Sequence, residues 1–374
     1  MLYIHIPFCK QKCSYCNFHF STSLKMKKDM IEAMKKEMNL RKDELKNKKL
    51  KSLYLGGGTP SILDVSEIVE LIDEVKKHFS FDENTEITLE ANPDDLTESF
   101  LRNLKNTPIN RLSIGIQSFF EEDLKLMNRA HTSTEAENCI KLAQNLGFDN
   151  INIDLIYGMP SSNFEQWKRN LDKAVELDIQ HISSYALTIE PKTALHQWIK
   201  KTPQLSPKES AQNRDFFYMV DFLQKNDFEH YEISNFGKKN YHSKHNSAYW
   251  EYQPYLGIGP SAHSYNGKNQ RSWNVSNNAK YIKALSENIL PCETENLSAN
   301  DCYNEILMIG LRTEKGVNLE LMKTQFSEEL MGGFYKTITP KIESGMLLIE
   351  KNHLKIPKKH WFFADGIASD LFIV

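Results

Sequence analysis

The chain has no run of apolar residues approaching the ~18 that a membrane-spanning helix needs. It also lacks the start of a signal peptide. Met1–Pro7 is strand-like and leads directly into a cysteine cluster, with no cleavage site between. Both absences point to a cytoplasmic protein without a transmembrane segment, and leave peripheral membrane association open. Neither sign of charge is in excess: 46 basic and 49 acidic residues give a net charge of −3. No basic field exists to recruit nucleic acid. The lysine-rich stretches Lys25–Lys28 and Lys46–Lys51 have acidic neighbours and read as solvated helix faces. Internal repeats and low-complexity linkers are missing too. Cysteine is sparse, six in 374 residues. In a reducing cytoplasm a cluster of cysteines reads as metal-ligating or catalytic rather than disulfide-forming.

What is present is alternation. Strand-like runs at Leu2–Ile6, Ser52–Leu55, Glu86–Glu90, Arg111–Gln117, Ile151–Tyr157 and Ile182–Thr188 are separated by helical periodicity at Met26–Glu44, Val65–Phe79, Leu96–Leu104, Thr134–Leu146 and Phe164–Leu177. Repeated strand–helix units predict an α/β fold with a parallel sheet, here a partial (β/α)6 barrel over residues 1–195. Polar motifs gather near the C-terminal ends of these strands, where barrels build sites. Residues 196–299 read as a barrel extension, with a helix at Ala211–Lys225 and histidine- and aromatic-rich segments. Residues 300–374 read as a small C-terminal module: helices at Ile306–Leu311 and Leu319–Phe326, a hairpin at Leu347–Ile356, and a winged-helix flavour suited to packing or partner docking.

Cys9, Cys13 and Cys16 form a C-x3-C-x2-C motif. Thiolates are soft ligands suited to iron–sulfur clusters. Three of them hold three irons of a cubane and leave the fourth iron open to a small ligand. A zinc site with His5 or His19 as fourth ligand is the alternative. Cys139 sits in a helical pattern and reads as core; Cys292 and Cys302 fit no ligand set. The cysteine spacing after a first strand resembles the radical-SAM superfamily. That resemblance implies a [4Fe–4S] cluster, S-adenosylmethionine chelated by the open iron, an electron donor, and a deoxyadenosyl radical.

Further along the strands, Gly56-Gly57-Gly58-Thr59-Pro60 offers close backbone approach to a ligand. Glu90 offers a carboxylate to ribose hydroxyls or to an amino group, Asp154 one to ribose hydroxyls, and Gln117 an amide that both donates and accepts. Arg129 offers a planar fork for a carboxylate.

The segments Ile4–Cys9, Gly56–Ser61, Gly115–Phe119 and Asp154–Pro160 narrow the match. They resemble the oxygen-independent coproporphyrinogen oxidase family from residue 1 to about 270. The resemblance implies cluster ligation by Cys9, Cys13 and Cys16. It implies S-adenosylmethionine contacts from Tyr3, Tyr15, Gly57, Gly58, Thr59, Glu90, Gln117, Arg129, Asp154 and Ala186. Two departures stand out. Phe18 occupies a position where the true oxidases carry a further cysteine, and the first strand begins essentially at Met1. His245-Asn246-Ser247-Ala248-Tyr249-Trp250 is similar to the H-N-x-x-Y-W motif of the HemN-like heme chaperones. That subgroup implies heme as cargo, His245 as heme ligand, and a recipient hemoprotein as partner. His242 and His263 compete for the ligand role. Neutral imidazole is a common axial ligand of heme iron, and Tyr249 and Trp250 offer flat apolar area to a macrocycle. The competing function is oxidative decarboxylation of coproporphyrinogen III.

Overall fold

Alternation within the strands decides how the sheet is used. The computed structural model describes residues 1–373. Six strands, β1 (Leu2–Ile6), β2 (Ser52–Gly57), β3 (Glu86–Ala91), β4 (Arg111–Gln117), β5 (Ile151–Tyr157) and β6 (His181–Ala186), pair in parallel in sequence order. Every second residue is apolar: Ile4, Leu53, Leu55, Leu89, Ile114 and Ile153 are buried in one core with helix residues such as Met34, Ile72, Leu101, Ile140 and Leu171. The intervening residues are polar, yet buried. Ser52, Glu86, Thr88, Arg111, Asn152 and His181 are each 5% exposed or less. A parallel sheet covered on both faces by apolar layers reads as nearly continuous hydrophobic runs. Here one face packs under helices and the other lines the inside of a curved sheet.

The expected strands and helices between residues 2 and 186 are all present, with ends shifted by a few residues. Capping explains several of the starts. Asp64 and Glu67 form a capping box before the Val65–His78 helix, as do Thr132 and Glu135 before Ser133–Asn145.

The segment after residue 195 rejoins the same sheet at both edges. β7 (Phe228–Glu232) and β8 (Asn235–Lys238) form a hairpin whose second strand runs antiparallel to β6. β9 (Leu256–Ile258) lies parallel to β1, giving a nine-stranded order 7-8-6-5-4-3-2-1-9. A buried ion pair fastens the far edge. Glu37 accepts from Arg41 at 2.9 Å, from Gly259 N at 2.8 Å and from Asn274 Nδ2 at 2.6 Å, while Arg41 donates to Gly257 O at 3.0 Å. The first helix, Lys27–Arg41, thus holds the 257–274 segment against the sheet. The H-N-x-x-Y-W residues lie on a short helix, Lys244–Trp250, which the sequence reading did not resolve.

The C-terminal module combines four helices, Ala299–Gly310, Leu319–Gln325, Glu328–Glu343 and Ala364–Ser369, with a three-stranded sheet of Val317–Asn318, Leu348–Glu350 and His353–Lys355. The first helix starts seven residues before the expected Ile306, because Ser298 and Asp301 cap it. The third was not expected: Gly332, Gly333 and Pro340 lower its helical propensity, but buried Met331, Phe334 and Ile338 anchor it. The module docks on the β7–β8 hairpin. His230 stacks on Phe236 at 4.1 Å and meets Trp361 edge-on at 4.5 Å, and Ile233 N donates to Arg312 O at 2.9 Å. Among the described residues, no helix is long and apolar enough to cross a membrane.

Candidate functional site

The cysteine loop leaves the C-terminal end of β1 and is clamped to the turn that closes the short helix Glu121–Leu126 after β4. Ser14 N donates to Met127 O at 3.0 Å, Ser14 Oγ to Leu126 O at 2.7 Å, and Asn128 Nδ2 to Lys12 O at 2.8 Å. Cys9, Cys13 and Cys16 are half-buried and free. Thr59 Oγ1 lies 3.5 Å from Cys9 Sγ and Arg129 Nη1 lies 3.4 Å from Cys13 Sγ, so donors already face two of the three sulfurs. Burial pushes the Cys9 thiol up to about 11 and raises that of Cys16. Metal would therefore displace protons as it binds. Among the described residues no three metal-binding side chains converge on a single ion position. A cubane needs no such point, because each thiolate serves a different iron. The histidines of a zinc reading are engaged elsewhere: His5 with Tyr3 Oη at 3.0 Å and His19 O at 2.9 Å, His19 with Asn278 Oδ1 at 2.7 Å. Soft donors with facing hydrogen-bond donors fit the iron–sulfur group. Phe18, on the same loop, is 71% exposed.

Beside the cysteines the backbone forms a cradle that side chains would fill. A Cβ on Gly57, at φ +109°, would lie 2.4 Å from His5 Nδ1, and one on Gly58 would lie 2.5 Å from Phe8 O. Gly56 has the Glu90 carboxylate 2.9 Å from where its Cβ would be. Glu90 accepts from Tyr54 Oη at 2.8 Å and from Gly57 N at 3.0 Å. Gln117 ends β4 at φ +68°, where the register with β5 shifts between Ile114 and Gln117. Such irregularities re-aim side chains and concentrate at functional sites. Arg129 donates to Asn92 Oδ1 at 2.6 Å and Gly115 O at 2.7 Å, but its buried Nε has no partner. These features fit a polar ligand such as S-adenosylmethionine. Tyr15 packs on the small apolar cluster that holds Leu124, Met127 and Ile156, and Ala186 pairs with Tyr157 at the end of β6.

Inside the sheet, below this cradle, lies a cavity of about 230 Å³. Tyr3, Glu90, Asp154, His245 and Tyr249 line it, as expected site residues, together with Tyr54, Arg111, Ser113 and Tyr185, which the sequence reading did not single out. The signal that would have found them is parity. Tyr54 shares a face with Gly56, and Arg111 and Ser113 share one with Gly115 and Gln117. Burial pushes the Glu90 carboxyl up to about 7 and that of Asp154 up to about 6, so both titrate near neutrality.

His245 is 1% exposed and lies across the floor of the cavity. Its Nδ1 is 2.8 Å from Ser52 Oγ and its Nε2 is 3.1 Å from Tyr249 Oη. Burial holds the imidazole neutral, pushing it down to about 3. Glu86 fixes the helix below it, accepting from His245 N at 3.0 Å and Lys244 N at 2.9 Å. This is an anion at a helix N-terminus. Ser52 opens β2 and Gly57 closes it, so His245 and the cysteine end are separated by about 16 Å of strand. The structure parts Tyr249 from Trp250. Tyr249 lines the cavity, whereas the Trp250 ring lies 5.9 Å from the Arg312 guanidinium, so the two do not form one flat surface. Of the competing histidines, His242 stacks on Tyr231 at 4.1 Å with Nε2 2.9 Å from Glu229, and His263 is exposed near Trp273.

Comparison with known proteins adds to this geometry. Residues 3–182 match the radical SAM superfamily and residues 297–363 the HemN C-terminal domain. The heme chaperone HemW of Lactococcus lactis is 31% identical over 365 residues, 98% of this chain and 95% of the relative. That of Bacillus subtilis is 30% identical over 92% of each chain, and that of Haemophilus influenzae 37% identical over 70% of this chain and 69% of the relative. Among solved structures, coproporphyrinogen III oxidase (HemN) from Escherichia coli superposes with a TM-score of 0.83 at 22% identity. It covers 99% of this chain and 89% of that one, a likeness of fold.

Proposed function

The chain belongs to the heme chaperone HemW family, on a radical SAM scaffold, and from that membership we propose that it binds heme and hands it to a recipient hemoprotein. The observation that carries the reading is the similarity to a heme chaperone along nearly the whole length of both chains. The H-N-x-x-Y-W helix across the cavity floor supports it.

In this reading Cys9, Cys13 and Cys16 hold a [4Fe–4S] cluster. Gly57, Gly58, Thr59, Gln117 and Arg129 cradle S-adenosylmethionine beside it, with Glu90 and Asp154 on its ribose. Tyr3, Tyr15 and Ala186 complete the surroundings. Cluster and S-adenosylmethionine together supply one-electron chemistry, fed by an external electron donor. Arg129 orients a carboxylate and balances thiolate charge at Cys13. Gly57 and Gly58 keep the turn close enough for backbone contacts. His245 is the proposed axial ligand of heme, kept neutral by burial and therefore competent to bind iron. Tyr249 must release Nε2 for iron to take it.

The test is anaerobic reconstitution followed by parallel heme titration and coproporphyrinogen III turnover. Heme binding without decarboxylated product is expected. Formation of product by a chain that binds no heme would replace the chaperone reading with an oxidase. His245→Ala should weaken heme binding at least tenfold; unchanged affinity would remove His245 from the site.

A further inference from the structure

The turn after β3 carries two neighbouring acids with no part in the site described above. Asp94 and Asp95 lie in one helical turn, Pro93–Asp95, with side chains only 14% and 4% exposed. Carboxylates held out of water need a counter-charge. Among the described residues the cation bonded to both is Lys10, which stands between Cys9 and Cys13. Its Nζ donates to Asp94 Oδ2 at 2.7 Å and pairs with Asp95 Oδ1. Asp94 Oδ1 is buried with no partner, so the bond from Lys10 is the one its carboxylate has. A fully exposed ion pair contributes little, but here solvent reaches the lysine, at 42%, far more than the acids. The same turn reaches the rest of the site. Ser61 Oγ donates to Asp95 Oδ2 at 2.6 Å and accepts from Asn92 N at 3.1 Å. Asn92 Oδ1 accepts from Arg129 Nη2, and Arg129 Nη1 faces Cys13 Sγ. Residues 92–95 therefore touch the cysteine loop through Lys10, the Gly56–Ser61 segment through Ser61, and Arg129 through Asn92.

We propose that Lys10 is a positioning residue: through Asp94 and Asp95 it sets the cysteine loop in register with the S-adenosylmethionine cradle. This role rests on the proposed assignment of cluster and cradle, and makes Lys10 a ligand of neither. Backbone bonds already fix the loop on either side. Thr59 N donates to Phe8 O at 2.7 Å just before Cys9, and Ser14 N to Met127 O at 3.0 Å just after Cys13. Between them, Lys10 ties the loop to the turn after β3. Without its charge, two buried carboxylates adjacent in sequence repel each other, and the turn that holds Ser61 and Asn92 relaxes. That movement leaves the three thiols in place. It does not leave the glycine turn and Arg129 in place, because their contacts run through Ser61 and Asn92. The consequence falls on S-adenosylmethionine affinity and not on cluster content.

The experiment uses the full chain reconstituted anaerobically. It combines iron and sulfide analysis, calorimetric titration of S-adenosylmethionine, and the electron paramagnetic resonance change on adding that ligand to the reduced protein. Lys10→Met keeps the apolar stem and removes the charge, and should hold wild-type iron and sulfide. Its S-adenosylmethionine affinity should fall about tenfold, within the range by which members of one hydrogen-bonded network affect each other. The spectral change should need correspondingly more ligand. Lys10→Arg should keep wild-type affinity. Ser61→Ala should weaken binding similarly, and adding it to Lys10→Met should cost less than the product of the two losses, because both act through Asp95. Unchanged affinity in Lys10→Met at full iron content would overturn the proposal. So would iron lost with the lysine, a Lys10→Arg variant as weak as Lys10→Met, or losses that multiply. Circular dichroism establishes that each variant is folded. If Lys10→Met does not fold, Ser61→Ala carries the test, and wild-type affinity there overturns the proposal. A wild type that takes up no iron, or binds no S-adenosylmethionine, would overturn the assigned site itself and the role of Lys10 with it.

Discussion

Cys9, Cys13 and Cys16 share a loop clamped to a neighbouring turn, and side-chain donors face the sulfurs of Cys9 and Cys13. Each is expected to be needed for the cluster. Replacing any one with Ala should sharply reduce the iron and sulfide held after anaerobic reconstitution, while Cys139→Ala should leave both intact. Cys139 is buried among apolar helix residues and donates to Ala136 O at 3.2 Å. Retention of full iron by Cys13→Ala would dissociate the motif from the cluster. At the cavity floor, Tyr249→Phe removes the hydroxyl that holds His245 Nε2. If iron takes that nitrogen, heme affinity should rise several-fold, because a hydrogen bond worth about 0.5–1.5 kcal/mol no longer competes. A fall in affinity would instead make the Tyr249 hydroxyl part of the heme contact.

Glycines separate two kinds of element. Gly332 and Gly333 lie inside the Glu328–Glu343 helix, and a Cβ on either would meet nothing within 4 Å. Gly332→Ala and Gly333→Ala should each stabilise the protein by about 0.5–1 kcal/mol by restricting the unfolded chain, read as a higher urea midpoint. Gly58 is the opposite case. A Cβ there would sit 2.5 Å from Phe8 O and 2.8 Å from Ile6 O, both backbone atoms that cannot rotate away. Gly58→Ala should therefore cost more than about 1 kcal/mol and weaken S-adenosylmethionine binding, measured by calorimetry on the reconstituted protein. Wild-type affinity in that variant would place the ligand away from the turn. The helix carrying Gly332 and Gly333 also shows where sequence reading stops. Its glycines and Pro340 weaken helical propensity locally, and only the burial of Met331, Phe334 and Ile338 overrides them.

Over the whole molecule, buried ionisable groups set the response to acid. Burial pushes His5 and His131 down to about 4, His230 and His245 down to about 3, and lowers His181 as well. Unfolded histidines protonate near 6.5, so the unfolded chain gains these protons first as pH falls, and stability declines below about pH 6.5. Burial also pushes Glu90 and Glu232 up to about 7 and Asp154 up to about 6. These carboxyls take protons first in the folded state and favour it as pH falls from about 7 to 4.5. These histidines oppose these carboxyls down to about pH 4.5, and below that the histidines act together with carboxylates held low by their partners, such as Asp82 beside Lys49 and Glu121 beside Ser133. Urea midpoints should therefore fall gently between pH 6.5 and 4.5 and more steeply between 4.5 and 3.5. A midpoint that rises from pH 6.5 to 5 would mean that the carboxyls dominate.

The sequence by itself determined the layered architecture and the cysteine loop, because both are local. Period-two and period-3.6 patterns specify strands and helices from adjacent residues, and the three thiols lie within eight residues of one another. The polar alternation of β1 to β6 already encoded an inner face, although a reading by motif passed over Tyr54, Arg111 and Tyr185. Tertiary structure alone decided the rest. It closed the sheet's edges with strands from residues 228–258, and it carried the Lys244–Trp250 helix across the cavity floor on the Glu86 carboxylate. It also bound both nitrogens of His245 to Ser52 and Tyr249. Those outcomes depend on which side chains meet across nearly two hundred residues of sequence. No spacing rule reaches that far, because hydrogen bonds and burial are settled by packing in three dimensions.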